Sequence, residues 1–321
     1  MLDELDPLCV VCHRPLGLAP ATLGERTYCE DHIEKVAQDR SSLWRATTLQ
    51  LVVLPIMLLA VLIGSQSLGL RPTGNLRVPV SMALAVLPGL SWLVTLYLQE
   101  LLTGEATRFL ATVVVSGALV ASAVGLPFLE RVADIQSWLP NGSLTVRFLG
   151  NILLVGPTHM FLVYGVVRYT VMRTNAFERR VDGIFYAVAT AVGYATMLNV
   201  QLAVRSGGFD PASGMFRVIG DVVGHAGAAA VLGYFLGRHR LESLPPWTLP
   251  TGLMLAAFAD GILVYSRAEI NRTSLGLARD AFSPWPGLLF SFILAGISFT
   301  AIYGLLRRIN ALTQAQLQTA P

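Results

Sequence analysis

Eight apolar stretches run along the chain, at roughly 48–70, 78–100, 108–128, 148–171, 183–204, 216–237, 249–266 and 285–306. Each is close to the ~20 mostly apolar residues that a bilayer-crossing helix requires. Inside lipid every backbone polar group must find its partner within the protein, which for stretches of this length means helices. Only 13% of residues are charged, about half the share a soluble globular chain carries. Soluble, disordered and collagenous classes are thereby excluded, and three cysteines are too few for a disulfide scaffold. The expected fold class is all-α: a polytopic membrane bundle of about eight helices over 48–306, a small N-terminal domain with its helix over 1–47, and a polar tail over 307–321.

Connectors such as Arg71-Pro72-Thr73-Gly74 separate the stretches. Interior Pro55, Pro88 and Pro157 are expected to bend their helices, and the pairs Gly220/Gly224 and Gly233/Gly237 allow close helix approach. The opening Met1-Leu2-Asp3-Glu4 is acidic and lacks an early apolar core, unlike a signal peptide. Eight spans put both termini on one side, where 14 of the 23 basic residues fall. Basic residues favour the cytoplasmic side, so both termini are expected there. Arg168, Arg173, Arg179 and Arg180 cluster at that edge, as a topology signal to which headgroup binding is a small addition. No basic block suggests nucleic acid; membrane lipid is the expected partner.

All three cysteines lie in the head, as Cys9-Val10-Val11-Cys12 and Cys29-Glu30-Asp31-His32. A C-x2-C turn places two thiolates on one tetrahedral Zn²⁺, and a C-x2-H pair completes four-coordination. The second pair opens a helix expected over about 30–45, where Cys29 and His32 share a face. Glu30 and Asp31 suit its start, and Arg40 and Arg45 its end. His13 competes as a ligand, but the repeated two-residue spacing favours His32. The plainer alternative is three buried or free thiols. The expected cofactor is one structural zinc on Cys9, Cys12, Cys29 and His32, folding a domain too small for its own core.

The membrane part carries Phe177-Glu178-Arg179-Arg180-Val181-Asp182-Gly183-Ile184-Phe185-Tyr186, followed by Gly193-Tyr194-Ala195-Thr196-Met197-Leu198-Asn199. Later come His225-Ala226-Gly227 with Gly233-Tyr234-Phe235-Leu236-Gly237, and Leu255 through Asp260-Gly261-Ile262-Leu263. In these segments, their order and their spacing, the chain resembles the PrsW family of intramembrane proteases. The resemblance covers roughly 85–306 and leaves the head outside. The family's proposed chemistry rests on an E-E-x-x-K motif, a glutamate in F-x-x-x-E and a histidine in H-x-x-x-D. The corresponding fourth span here reads Val155-Gly156-Pro157-Thr158-His159-Met160-Phe161, and no Asp or Glu occurs between Asp134 and Glu178. Leu198 stands for the glutamate and Ala256 for the histidine. Asn199, His225, Asp260 and the interfacial Glu178 and Asp182 remain.

Ionisable residues within spans are costly and are functional candidates by default. Here they are His159, Asp221, His225 and Asp260, with Asp221 and His225 placed to pair at i,i+4. If their helices converge, His159, His225 and Asp260 rebuild a two-His-one-carboxylate site for a second metal. The alternative is polar packing between helices. The departures favour a proteolytically impaired protein, a pseudoprotease or adaptor that holds a membrane-protein client while its zinc head docks a protein partner. The competing expectation is an active intramembrane peptidase acting through His159, His225 and Asp260. A transporter ranks last, because most spans carry at most one strongly polar residue.

Overall fold

A computed structural model describes residues 7–16, 20–67, 69, 72–103, 109–273 and 284–319. Met1 to Glu4, Arg71 and the last two residues lie outside the described set. The head is a two-stranded antiparallel hairpin, β1 Ala21–Leu23 and β2 Arg26–Tyr28, followed by α1 Glu30–Val36. Then come α2 Ser41–Ser67, α3 Arg77–Thr103, α4 Leu110–Val120, the short α5 Ile135–Trp138 and α6 Leu144–Gly150. The chain closes with α7 Gly156–Thr170, α8 Arg180–Arg205, α9 Pro211–Leu241, α10 Thr248–Thr273 and α11 Trp285–Thr319. Among the described residues, eight helical stretches are long and apolar enough to cross a membrane, and they coincide with those expected. Outward-facing Leu51, Ile56, Leu59 and Ile63 on α2 are each about half exposed, as a lipid-facing surface requires.

The bundle is organised around α9, the most enclosed span, with α8 beside it. Glycine makes this possible: a Cβ on Gly183 would stand 2.2 Å from the carbonyl oxygen of Gly233. Any larger residue would force α8 and α9 apart. The start of α8 has a mechanical reading. Phe177 is fully buried, and Asp182 Oδ2 accepts from the amides of Glu178 and Arg179 at 2.9 and 2.7 Å, capping the helix.

Two spans contain π-helical turns, Ala121–Gly125 and Phe128–Val132 in the third and Asn151–Val155 in the fourth. Such turns re-aim the residues that follow them. Pro157 accordingly sits just past a π turn, within the continuous helical span Leu144–Thr170.

Three local expectations differ from the structure. The helix expected over 30–45 ends at Val36, and a new one starts at Ser41. Between them Arg40 turns inward to Asp182 and Glu100, both at 2.7 Å, so buried carboxylates win over helix propensity. Arg45 therefore lies in the first turns of α2, not at the end of a head helix. The expected tail over 307–321 continues α11 as far as Thr319. Asn310 and Thr313 on it are buried and accept from Arg180 at 2.9 Å each, which holds the segment to the bundle.

Candidate metal centres

His159 on α7, His225 on α9 and Asp260 on α10 converge inside the bundle. Their side chains are 4%, 2% and 0% exposed. The approach of α7 to α10 sets this up. A Cβ on Gly156 would lie 2.1 Å from the Ala257 carbonyl oxygen, so only glycine lets the backbones touch one turn before His159. Gly261, next to Asp260, rests in turn against the π turn at Asn151. His159 Nδ1 lies 2.8 Å from Asp260 Oδ2 and 3.3 Å from His225 Nε2, and His225 Nε2 lies 3.6 Å from Asp260 Oδ1.

Two imidazole nitrogens and the Asp260 carboxylate thus lie close enough together to share a cation, one ligand atom from each residue falling within 4.8 Å of the others. Three ligands at ~2.0 Å around a tetrahedral ion stand about 3.3 Å apart. The protonation pattern points the same way. His225 Nδ1 is 2.8 Å from the Asp221 carbonyl oxygen, which can only accept. The proton is therefore on Nδ1, and Nε2 offers a lone pair to the cluster. His159 Nδ1 cannot serve both that lone pair and the Asp260 carboxylate with a single proton. Asp260 Oδ1 is buried with no hydrogen-bond partner among the described residues. Converging lone pairs with an orphaned carboxylate oxygen are what a metal ion would satisfy.

The pairing expected between the Asp221 and His225 side chains is corrected. His225 uses the main-chain carbonyl of Asp221, while the Asp221 carboxylate is taken by Arg267. Asn199 stays outside the cluster and bonds its own helix at Ala195, 3.0 Å away. Tyr194 was read in the sequence only as part of a motif. Its ring packs 5.3 Å from that of His159 and 6.4 Å from that of His225, with a buried hydroxyl that has no partner among the described residues. A tyrosine one turn before Leu198 in an apolar span was the available signal. On the side away from the head, a cavity of about 550 Å³ reaches Asp221, one turn from His225, between Ser206, Arg217, Arg267 and Asn271.

The second cluster is in the head. One ligand atom from each of Cys9, Cys12, Cys29 and His32 lies within 4.8 Å of the others, and the cysteines are free thiols. Cys29 Sγ is 2.9 Å and Cys9 Sγ 3.7 Å from His32 Nδ1; Cys12 and Cys29 sulfurs are 4.0 Å apart. His13 is not in the set: it sits in the turn at φ 56° and faces elsewhere. Burial pushes the Cys9 thiol up, but hydrogen bonds from the backbone of Cys12, Cys29 and Val11 outweigh this and the net shift is downward, towards thiolate.

The head is fastened to the bundle through its ligands' neighbours. His32 Nε2 is 3.6 Å from Glu178, which Lys35 also grips at 2.9 Å. An imidazole that ligates through one nitrogen and meets a carboxylate through the other is the usual outer-shell support of a metal site. Arg240 Nη2 donates to the Val10 carbonyl at 2.8 Å, and the Tyr28 hydroxyl donates to the Leu241 carbonyl. Burial pushes the Tyr28 pKa up to about 12, so it remains a donor at neutral pH.

A family model described as "PrsW family intramembrane metalloprotease" matches residues 105–265, half of the chain. The chain belongs to the PrsW family. Its relatives include proteins named Protease PrsW from Halalkalibacterium halodurans, 27% identical over 158 residues (49% of this chain, 69% of that one), and from Oceanobacillus iheyensis, 25% identical over 162 residues (50% and 70%). The one from Geobacillus kaustophilus is 24% identical over 153 residues, 48% of this chain and 64% of that one. No solved structure matches. The matched PrsW segment contains His159, His225 and Asp260 and excludes the Cys/His head. The residues present in the membrane cluster fit the metal that the family description names.

Proposed function

We propose that this protein is an intramembrane metallopeptidase of the PrsW family in which His159, His225 and Asp260 hold the ion. The observation that carries this reading is the convergence of one nitrogen of each histidine with the Asp260 carboxylate in the buried core, through contacts of 2.8 Å to Oδ2, 3.6 Å to Oδ1 and 3.3 Å between the imidazoles. When bound, such an ion polarises a carbonyl and acidifies a water. His225 presents Nε2 because the Asp221 carbonyl holds the proton on Nδ1. Asp260 would be the carboxylate ligand, and its Oδ1 has no hydrogen-bond partner among the described residues. Tyr194 is the nearby hydroxyl donor, in a chain where Leu198 has replaced the family's glutamate. The cavity ending at Asp221 supports delivery of water from the side away from the head. The substrate class is a membrane-anchored polypeptide.

In the same proposal the head carries one structural zinc on Cys9, Cys12, Cys29 and His32, and both termini face the cytoplasm. A second reading is favoured by Leu198 and Ala256, which stand where the family keeps a glutamate and a histidine. In it the membrane site binds a client without cutting it, and the head docks a protein partner through its outward face, where Leu8 is 52% exposed. Cleavage of a membrane-tethered reporter by purified protein separates the two. The peptidase reading expects cleavage that Asp260→Asn and His225→Ala abolish. Cleavage that persists in both variants, or a wild type that never cuts while holding metal, contradicts it.

A further inference from the structure

Three arginines at the head-bearing membrane edge are neutralised by acids. Arg180 pairs with Glu242 at 2.6 Å, Arg238 with the same carboxylate at 2.7 Å, and Arg40 with Asp182 and Glu100. One group on that edge is different. Arg168 at the end of α7, Arg173 just after it, Arg240 at the end of α9 and His13 of the head surround a cavity of about 280 Å³ floored by Met172. Among the described residues no Asp or Glu lines it, and none of Arg168, Arg173 and Arg240 pairs with a carboxylate. Arg240 is held in place by neutral groups instead: Nε donates to the Met172 carbonyl at 2.9 Å and Nη2 to that of Val10 at 2.8 Å. Its guanidinium is thus fixed, with no carboxylate among the described residues to neutralise it.

Cations at helix ends also complement the helix dipole. That role needs no cavity shared by two helices and the head. The depth is informative too. Arg168 lies 5.7 Å over the Tyr164 ring, and the adjacent Tyr169 is 78% exposed. Exposed tyrosine at a span's end marks the interfacial layer where headgroups lie. Guanidinium groups match phosphate oxygens through paired hydrogen bonds, and basic pockets between spans are suited to anionic headgroups. We infer that this cavity binds the phosphodiester of an anionic lipid headgroup, bridging α7, α9 and the head. Of the four arginines clustered in the sequence, two belong to the site; Arg180 is committed to Glu242, and Arg240, 60 residues further on, takes part instead.

The test uses full-length protein in neutral detergent, titrated with phosphatidylglycerol, phosphatidylcholine or inorganic phosphate, and reads thermal stability and lipid adducts by native mass spectrometry. Phosphatidylglycerol is expected to raise the melting temperature and to be retained at about one per chain. Arg168→Gln with Arg173→Gln should weaken that retention roughly tenfold or more. These two side chains make no hydrogen bonds to the fold among the described residues, so lipid-free stability should be unchanged. Arg45→Gln, an exposed arginine on the same edge outside the cavity, should retain lipid like the wild type. Equal retention by the double variant, or phosphatidylcholine binding as well as phosphatidylglycerol, would overturn the site. The same arginine-dependent stabilisation by inorganic phosphate alone would overturn lipid as the source of the phosphoryl group.

Discussion

The protein brings side chains able to hold a metal together in two ways. In the head, four ligands come from a segment of 24 residues, positioned by a turn, a hairpin and the first turn of a helix. In the membrane, three ligands come from three helices, and His159 and Asp260 are 101 residues apart in sequence. The head has only a small apolar cluster, Cys9, Val11, Leu16, Tyr28, Ile33 and Val36 closed by Leu241 of α9, so its Cys/His set is expected to depend on an ion for its arrangement. The membrane cluster is arranged by helix packing and exists as a scaffold feature. Removal of metal should therefore unfold the first and leave the second standing.

The largest expected effect follows from that contrast. Cys9→Ser or Cys29→Ser should release the head's zinc and melt the hairpin and α1, seen as proteolysis within residues 7–36 while the spans resist. Next, His225→Ala should remove metal from the membrane cluster and abolish reporter cleavage with little change in melting temperature. A large drop in stability instead would mean that the cluster is polar packing. Glu178→Gln removes the outer-shell carboxylate from His32 and should weaken head zinc by about 10–100-fold, measured by chelator competition, without touching the membrane site.

Gly156→Ala sharpens the comparison from the packing side. The new Cβ meets the Ala257 carbonyl, so α7 must shift, at a cost of about 1–3 kcal/mol. Metal affinity at the membrane cluster should fall while head zinc is unchanged. The smallest effect belongs to Tyr194→Phe. Among the described residues its hydroxyl has no partner to lose, so stability should be unchanged, whereas cleavage slows if the hydroxyl donates to the reacting group.

What the sequence made legible follows the same division. The spans could be read because lipid imposes a length and an apolar composition on each one separately. The head's ligands could be read because a C-x2-C and a C-x2-H fix geometry locally. The membrane cluster could be named only as a set of costly residues, since its convergence depends on helix order and on glycine contacts such as Gly156 against Ala257. The break at Ala37–Arg40 was hidden because its cause, Asp182 and Glu100, lies far along the chain. The helical continuation to Thr319 was hidden likewise, because Arg180 supplies the partners that make a polar segment stay helical. The carbonyl of Asp221 was missed in favour of its carboxylate, which Arg267 occupies.

The most direct test is metal content per chain in full-length protein purified without chelator. Two equivalents are expected in the wild type, with one lost in His225→Ala and the other lost in Cys29→Ser. A wild type that holds a single equivalent, lost in Cys29→Ser and untouched by His225→Ala, would contradict the claim that the buried His159, His225 and Asp260 form a metal centre.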